Sequence, residues 1–165
     1  MDRLILLRHG KAESDSETGD DFDRRLASRG EFESSDMGAR LADMGFAPDV
    51  ALVSPAARAK ATWEQAGAHF PKAQTRLDAQ LYHADSAAIL REAQKVLQED
   101  GCSTVMVVGH NPGLQELTVA LLQAAGAPHS LITRALNNFP TATAAVFLID
   151  DNGRPQFDGL FFPNR

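Results

Sequence analysis

With 165 residues, 44% of them apolar and 23% charged, and a formal net charge of −6, the chain has the size and composition of one ordinary globular domain. The acidic balance argues against nucleic acid or an anionic membrane as partner, and no apolar stretch is long enough to span a bilayer. The one cysteine, Cys102, excludes an intrachain disulfide and a cysteine-rich metal site and reads as a buried thiol. Asp2 and Arg3 followed by only a short apolar run do not make a signal peptide, so a cytoplasmic protein is expected.

Leu4-Ile5-Leu6-Leu7 is too short for a helix and suits a fully buried strand. It breaks into Arg8, His9 and Gly10. Residues 11–25 are polar and acidic and read as a solvated loop, the stretch from Glu13 to Asp23 included. Ser28 and Glu31 have capping-box spacing and open a helix predicted over about 29–44, with Met37, Leu41 and Met44 on its apolar face. Val50 to Val53 is a second short strand. Ser54-Pro55 reads as an N-cap with proline at the first helical position, leading the alanine-rich helix from Ala56 to Ala68.

Gln74 to Leu77 is a short strand. Ser86 to Gln98 is a helix with Ile89, Ala93 and Val96 on one face. Thr104 to Val108 is a β-branched strand, and Asn111-Pro112 repeats the cap-plus-proline signal before a helix through about Ala124. Gly126 to Pro140 reads as irregular. Thr143 to Ile149 and Gln156 to Phe162 flank Asn152-Gly153, a hairpin turn signal. Alternating strands and helices with a terminal hairpin predict a three-layer α/β/α fold, its sheet mostly parallel with an antiparallel edge.

Three strand ends carry chemistry: Arg8-His9, then Ser54 to Arg58, then Gly109-His110-Asn111-Pro112. In a parallel sheet these junctions share one edge, where ligands of open α/β folds bind. Arg58 falls in the first turn of its helix, where the macrodipole disfavours a cation unless an anion joins it. Histidines also suit a metal, but adjacent arginines repel a cation and attract an anion. The residues therefore point to phosphate, with no metal and no cofactor.

Leu7-Arg8-His9-Gly10, Ser54-Pro55-x-x-Arg58-Ala59-x-x-Thr62 and Val108-Gly109-His110-Asn111-Pro112 resemble, in order, the motifs of the histidine phosphatase superfamily, whose fold is phosphoglycerate-mutase-like. Asp23-Arg24-x-Leu26 before Gly30, and Phe139-Pro140-Thr141, resemble further family elements. Ala27 stands where the family often has a threonine cap. The short length is most similar to SixA-type phosphohistidine phosphatases, which implies one domain over residues 1–165 without a cap insertion.

The resemblance implies that His9 is a nucleophile forming a phosphohistidine intermediate, that Arg8 and Arg58 bind the phosphoryl oxygens, and that His110 donates a hydrogen bond to the same group. It also implies hydrolysis of a phosphohistidine-bearing protein, such as a phosphotransfer domain. The alternatives are a small phosphomonoester at the same site, or a non-catalytic phosphate-binding module. Larger members supply a glutamate acid after the second helix. Here the stretch from Leu77 to Asp85 offers Asp78, Tyr82, His83 and Asp85 instead, with Asp85 read as a helix cap.

Overall fold

The computed structural model describes residues 1–165. Strands β1 (Asp2–Arg8), β2 (Val50–Val53), β3 (Gln74–Leu77), β4 (Thr104–Gly109), β5 (Ala144–Ile149) and β6 (Pro155–Phe161) form one sheet in the order β3-β2-β4-β1-β5-β6. The first four are mutually parallel, β5 runs antiparallel to β1, and β6 pairs antiparallel with β5. This is the mostly parallel sheet with an antiparallel edge expected from the sequence.

Helices α1 (Ser28–Asp43) and α2 (Ala57–Gly67) cover one face. On the other lie α3 (Ser86–Leu97), α4 (Gly113–Ala124) and α5 (His129–Asn137). Because strand side chains alternate between faces, β1 serves two cores at once. Leu4 and Leu6 pack with Ile89, Val96, Leu114 and Leu122, while Ile5 and Leu7 pack with Met37, Leu41, Trp63 and Phe70. A strand buried on both sides must be continuously apolar, which is why β1 shows no alternation.

Several local expectations change. Gly126 to Pro140 is not irregular, since α5 occupies most of it; its Leu131, Ile132 and Ala135 share one face against the core, but the helix is only nine residues long. Ser28 is the first helical residue rather than the cap. Ala27 is the cap and makes no side-chain bond, its N–H donating to the Lys11 carbonyl at 2.8 Å. Helix α2 begins at Ala57, so Ser54-Pro55 lies ahead of it and Ser54 is not its cap. Met44 is exposed just past the end of α1, and Cys102 is half-buried. Asp85 caps α3 as expected, accepting from Ala88 N–H at 2.9 Å.

Candidate active site

The pairings Arg8↔Gly109 and Val53↔Val108 bring the carboxyl ends of β1, β2 and β4 level. Backbone bonds extend this alignment past the strands: His9 N–H donates to Gly109 O and Ser54 N–H to Val108 O, each at 3.0 Å. All four residues selected from the sequence meet there. The His9 and His110 rings lie 5.2 Å apart, and Arg58 Nε–H donates to His9 Nε2 at 3.3 Å. His9, Arg58 and His110 are exposed by only 7%, 5% and 8%. Arg8 donates from Nη1 to the Phe139 carbonyl at 2.9 Å.

The hydrogen bonds define each histidine's tautomer. His9 Nδ1 lies 2.7 Å from the Gly10 carbonyl, an acceptor, so Nδ1 carries the proton and Nε2 keeps its lone pair toward Arg58. Burial is the largest cause that lowers the His9 pKa to about 3, with smaller contributions from His110, Arg58 and Arg8. Desolvation, more than the arginines named from the sequence, thus keeps the imidazole neutral.

His110 Nε2 lies 2.7 Å from Ser54 Oγ, and that oxygen also accepts from Ala56 N–H at 3.4 Å. His110 Nε2 is the one acceptor that the buried Ser54 hydroxyl hydrogen meets, which assigns the hydroxyl as donor to Nε2 and the His110 proton to Nδ1. Burial and then Arg58 lower the His110 pKa to about 4. Its Nδ1–H and the Nε–H of Arg8 are buried donors without a protein partner. Two unmet donors beside a bare imidazole nitrogen are what an anionic oxygen would satisfy.

The remaining motif residues fix this geometry. Thr62 Oγ1 donates to the Arg58 carbonyl at 2.7 Å and accepts from Gly10 N–H at 2.9 Å, tying helix α2 to the residue after His9. Gly10 is required by a close approach: a Cβ there would come within 2.7 Å of the Gly30 carbonyl and of Ser34 Oγ. Phe139 O accepts from both Arg8 and Asn111 Nδ2, the latter at 3.1 Å, so a loop after α5 pins two strand ends.

Asp78 and Asp85, the two carboxylates considered as acids, are both engaged. Asp78 accepts from Gln80 N–H in the 3-10 turn Ala79–Leu81, and Asp85 caps α3. Asp85 also lines a cavity of about 580 Å³ that reaches His110 and Arg58 but not His9, with Asp21, His83 and Glu116. No cluster of three or more His, Cys, Asp or Glu side chains is arranged to hold a metal.

Three contributors escaped the sequence reading. Ser54 looked like a cap. Glu116, on the cavity wall, was not singled out at all. Asp21 was placed among solvated loop charges, yet its carboxylate accepts from Arg58 Nη2 at 3.0 Å. Only the neighbouring Asp23-Arg24-x-Leu26 pattern marked that part of the loop.

The fold is three-layered, and its one sheet gathers Arg8, His9 and His110 at the ends of β1 and β4 beside Arg58 in the first turn of α2. The family model of the histidine phosphatase superfamily, branch 1, matches residues 4–88, and the chain belongs to that superfamily. An uncharacterized protein of Mycobacterium tuberculosis strain H37Rv is 32% identical over 143 residues, covering 87% of each chain. A solved structure designated phosphohistidine phosphatase SixA, from Agrobacterium tumefaciens, is 29% identical with TM-score 0.83 and 98% coverage of both chains. Its counterpart from Nakamurella multipartitia is 26% identical with TM-score 0.81, covering 98% of this chain and 96% of that one.

Proposed function

We propose that this protein is a metal-independent phosphatase that removes a phosphoryl group from protein-bound phosphohistidine, through a phosphohistidine on His9. The observation that carries this reading is the neutral, buried His9 whose bare Nε2 faces Arg58 while Arg8 Nε and His110 Nδ1 stand without partners. In the proposed reaction Nε2 attacks phosphorus, and the bond from phosphorus to the substrate imidazole breaks with its electron pair leaving on that nitrogen. Water then attacks the phosphorus, the electron pair returns to His9 Nε2, and inorganic phosphate departs with the water's oxygen. Arg8, Arg58 and His110 stabilise the charge on the equatorial oxygens, a task well suited to preorganised donors in a water-poor site.

Support for an N-linked substrate comes from the acid side. Asp78 and Asp85 are occupied with backbone caps, and two solved structures similar to this chain carry the name phosphohistidine phosphatase SixA. An imidazole already protonated on its far nitrogen leaves as a neutral molecule and needs little acid assistance. Two of the three connections, 54–56 after β2 and 110–112 after β4, are short, which favours a side chain presented by another protein; the longer one after β1, 9–27, reaches the site through Asp21. The second reading, a small phosphomonoester, is favoured by the cavity of about 580 Å³, within the range of roughly 300–1,000 Å³ usual for small-molecule sites.

The test is a side-by-side comparison, in excess chelator, of a phosphorylated phosphotransfer domain and a panel of phosphomonoesters. The expected result is a higher kcat/KM for the phosphohistidine protein. A quenched reaction should give an acid-labile, base-stable label that His9→Ala abolishes. Activity lost with chelator and restored by zinc or magnesium, or near-normal turnover by His9→Ala, would overturn the mechanism. A much greater kcat/KM for a metabolite phosphate would select the second reading.

A further inference from the structure

Asp21 opens the 3-10 turn Asp21–Asp23, in the loop between β1 and α1. Its carboxylate is 47% exposed but fully engaged. Oδ2 accepts from Arg58 Nη2 at 3.0 Å and from the Tyr82 hydroxyl at 2.8 Å, while Oδ1 accepts from Arg24 Nε at 2.9 Å. The Asp21 backbone carbonyl accepts from Arg58 Nη1 at 2.8 Å. Asp21 thus holds both terminal nitrogens of the guanidinium, one through its side chain and one through its main chain.

The donor arithmetic of Arg58 gives this its meaning. A guanidinium has five N–H groups in a rigid planar fork. One points from Nε to His9 Nε2, and one from each terminal nitrogen goes to Asp21. One N–H on each of Nη1 and Nη2 remains. Nε faces the nucleophile while Asp21 is bound, so the carboxylate engages Arg58 without coming between it and His9. Held only through Nε and its flexible stem, the fork could rotate; held at both terminal nitrogens, it presents Nε to the reacting centre in one orientation.

We infer that Asp21 is a positioning residue for phosphoryl transfer, a clamp braced by Tyr82 that orients the Arg58 guanidinium toward the phosphoryl group on or near His9. The inference rests on the proposed phosphatase reading. Tyr82 joins the clamp to the loop after β3: its ring meets Phe22 edge-on at 5.0 Å and His110 at 5.6 Å. The Tyr82 hydroxyl and then the Arg24 and Arg58 bonds hold the Asp21 carboxyl well below the usual carboxylate range, so it stays an acceptor and does not serve as an acid. An ionised partner also relieves the cost of burying a lone guanidinium between turnovers.

Vanadate binding tests the clamp without depending on the identity of the phosphorylated substrate. Wild-type protein and the Arg58→Lys, Asp21→Ala, Asp21→Asn and Tyr82→Phe variants are titrated with vanadate by calorimetry, and phosphorylation of His9 is followed in single turnovers. Asp21→Ala is expected to weaken vanadate binding about 10-fold and to slow phosphorylation at saturating substrate, with a lower thermal midpoint because the buried Arg58 guanidinium loses its charge partner. Asp21→Asn, which keeps one oxygen acceptor, should recover part of the loss, and Tyr82→Phe should lose a few-fold. On the Arg58→Lys background, which has no fork to orient, Asp21→Ala should cost nothing further.

Unchanged or tighter vanadate binding by Asp21→Ala overturns the inference; the tighter case would make Asp21 a competitor for the phosphate seat. Equal losses on the wild-type and Arg58→Lys backgrounds also overturn it, because Asp21 would then act independently of Arg58. If vanadate binds as well to Arg58→Lys and His9→Ala as to wild type, the phosphatase reading itself fails, separately from the clamp.

Discussion

Replacing Ser54 by alanine deletes one fully buried oxygen and leaves His110 Nε2 without its donor. The ring could then carry its proton on either nitrogen, and the form with a bare Nδ1 turns an acceptor toward the phosphoryl oxygens. The expected outcome is a fall in kcat of roughly 10- to 100-fold, short of the loss from His110→Ala. A destabilisation of about 1–3 kcal/mol accompanies it, from the unmet buried nitrogen. Single-turnover kinetics and a urea titration of the same variant separate the two effects. The residue-level chemistry was partly legible in the sequence. Arg8, His9, Arg58 and His110 declared themselves because strand ends concentrate them. Ser54 did not, because a serine before proline looks the same whether it caps a helix or aims a histidine 56 positions later.

At the level of elements, the critical packing joins the loop after His9 to the first turn of α1. A Cβ on Gly30 would meet the Lys11 carbonyl, would come within 2.7 Å of Leu26 Cδ1 and would lie 2.8 Å from Lys11 N. Gly30→Ala must therefore push that loop outward, with Gly10 and its bond to Thr62. Overpacking of this kind costs about 1–3 kcal/mol. Activity should fall by more than global stability explains, which parallel measurement of kcat and the urea midpoint will show. Elements with strong apolar patterning, such as β1, α3 and α4, were readable from the chain alone. Helix α5 was not, since its core-facing residues, Leu131, Ile132 and Ala135, span little more than one turn of a nine-residue helix. The 3-10 turn of Asp21 was hidden for a different reason: its partners, Arg58 and Tyr82, are 37 and 61 positions away.

At the scale of the whole molecule, the two buried histidines make stability depend on pH. Their folded pKa values, about 3 for His9 and about 4 for His110, lie below the ordinary 6.5. Between these limits the unfolded chain binds more protons than the folded one, so stability rises with pH. This contribution is fully present above about pH 6.5 and is lost progressively as the pH falls toward 4 and then 3. Thermal midpoints measured from pH 7 down to pH 4.5 should therefore drop more steeply for the wild type than for a His9→Asn, His110→Asn double variant. A wild-type curve no steeper than that of the double variant would contradict the assigned neutral states.

The sheet order has a temporal consequence. Strands β1 and β2 do not pair with each other; β4 lies between them and bonds to both. A chain growing from its amino end has His9 and Arg58 in place long before Thr104 exists, yet lacks the strand that sets the distance between them. His110 and the Phe139 carbonyl arrive later still. The unfinished protein thus carries His9, the proposed nucleophile, for most of its synthesis without the residues that complete the proposed phosphate seat. The proposed active site is completed late, once β4 has paired with both β1 and β2 and the segment after α5 has reached Arg8.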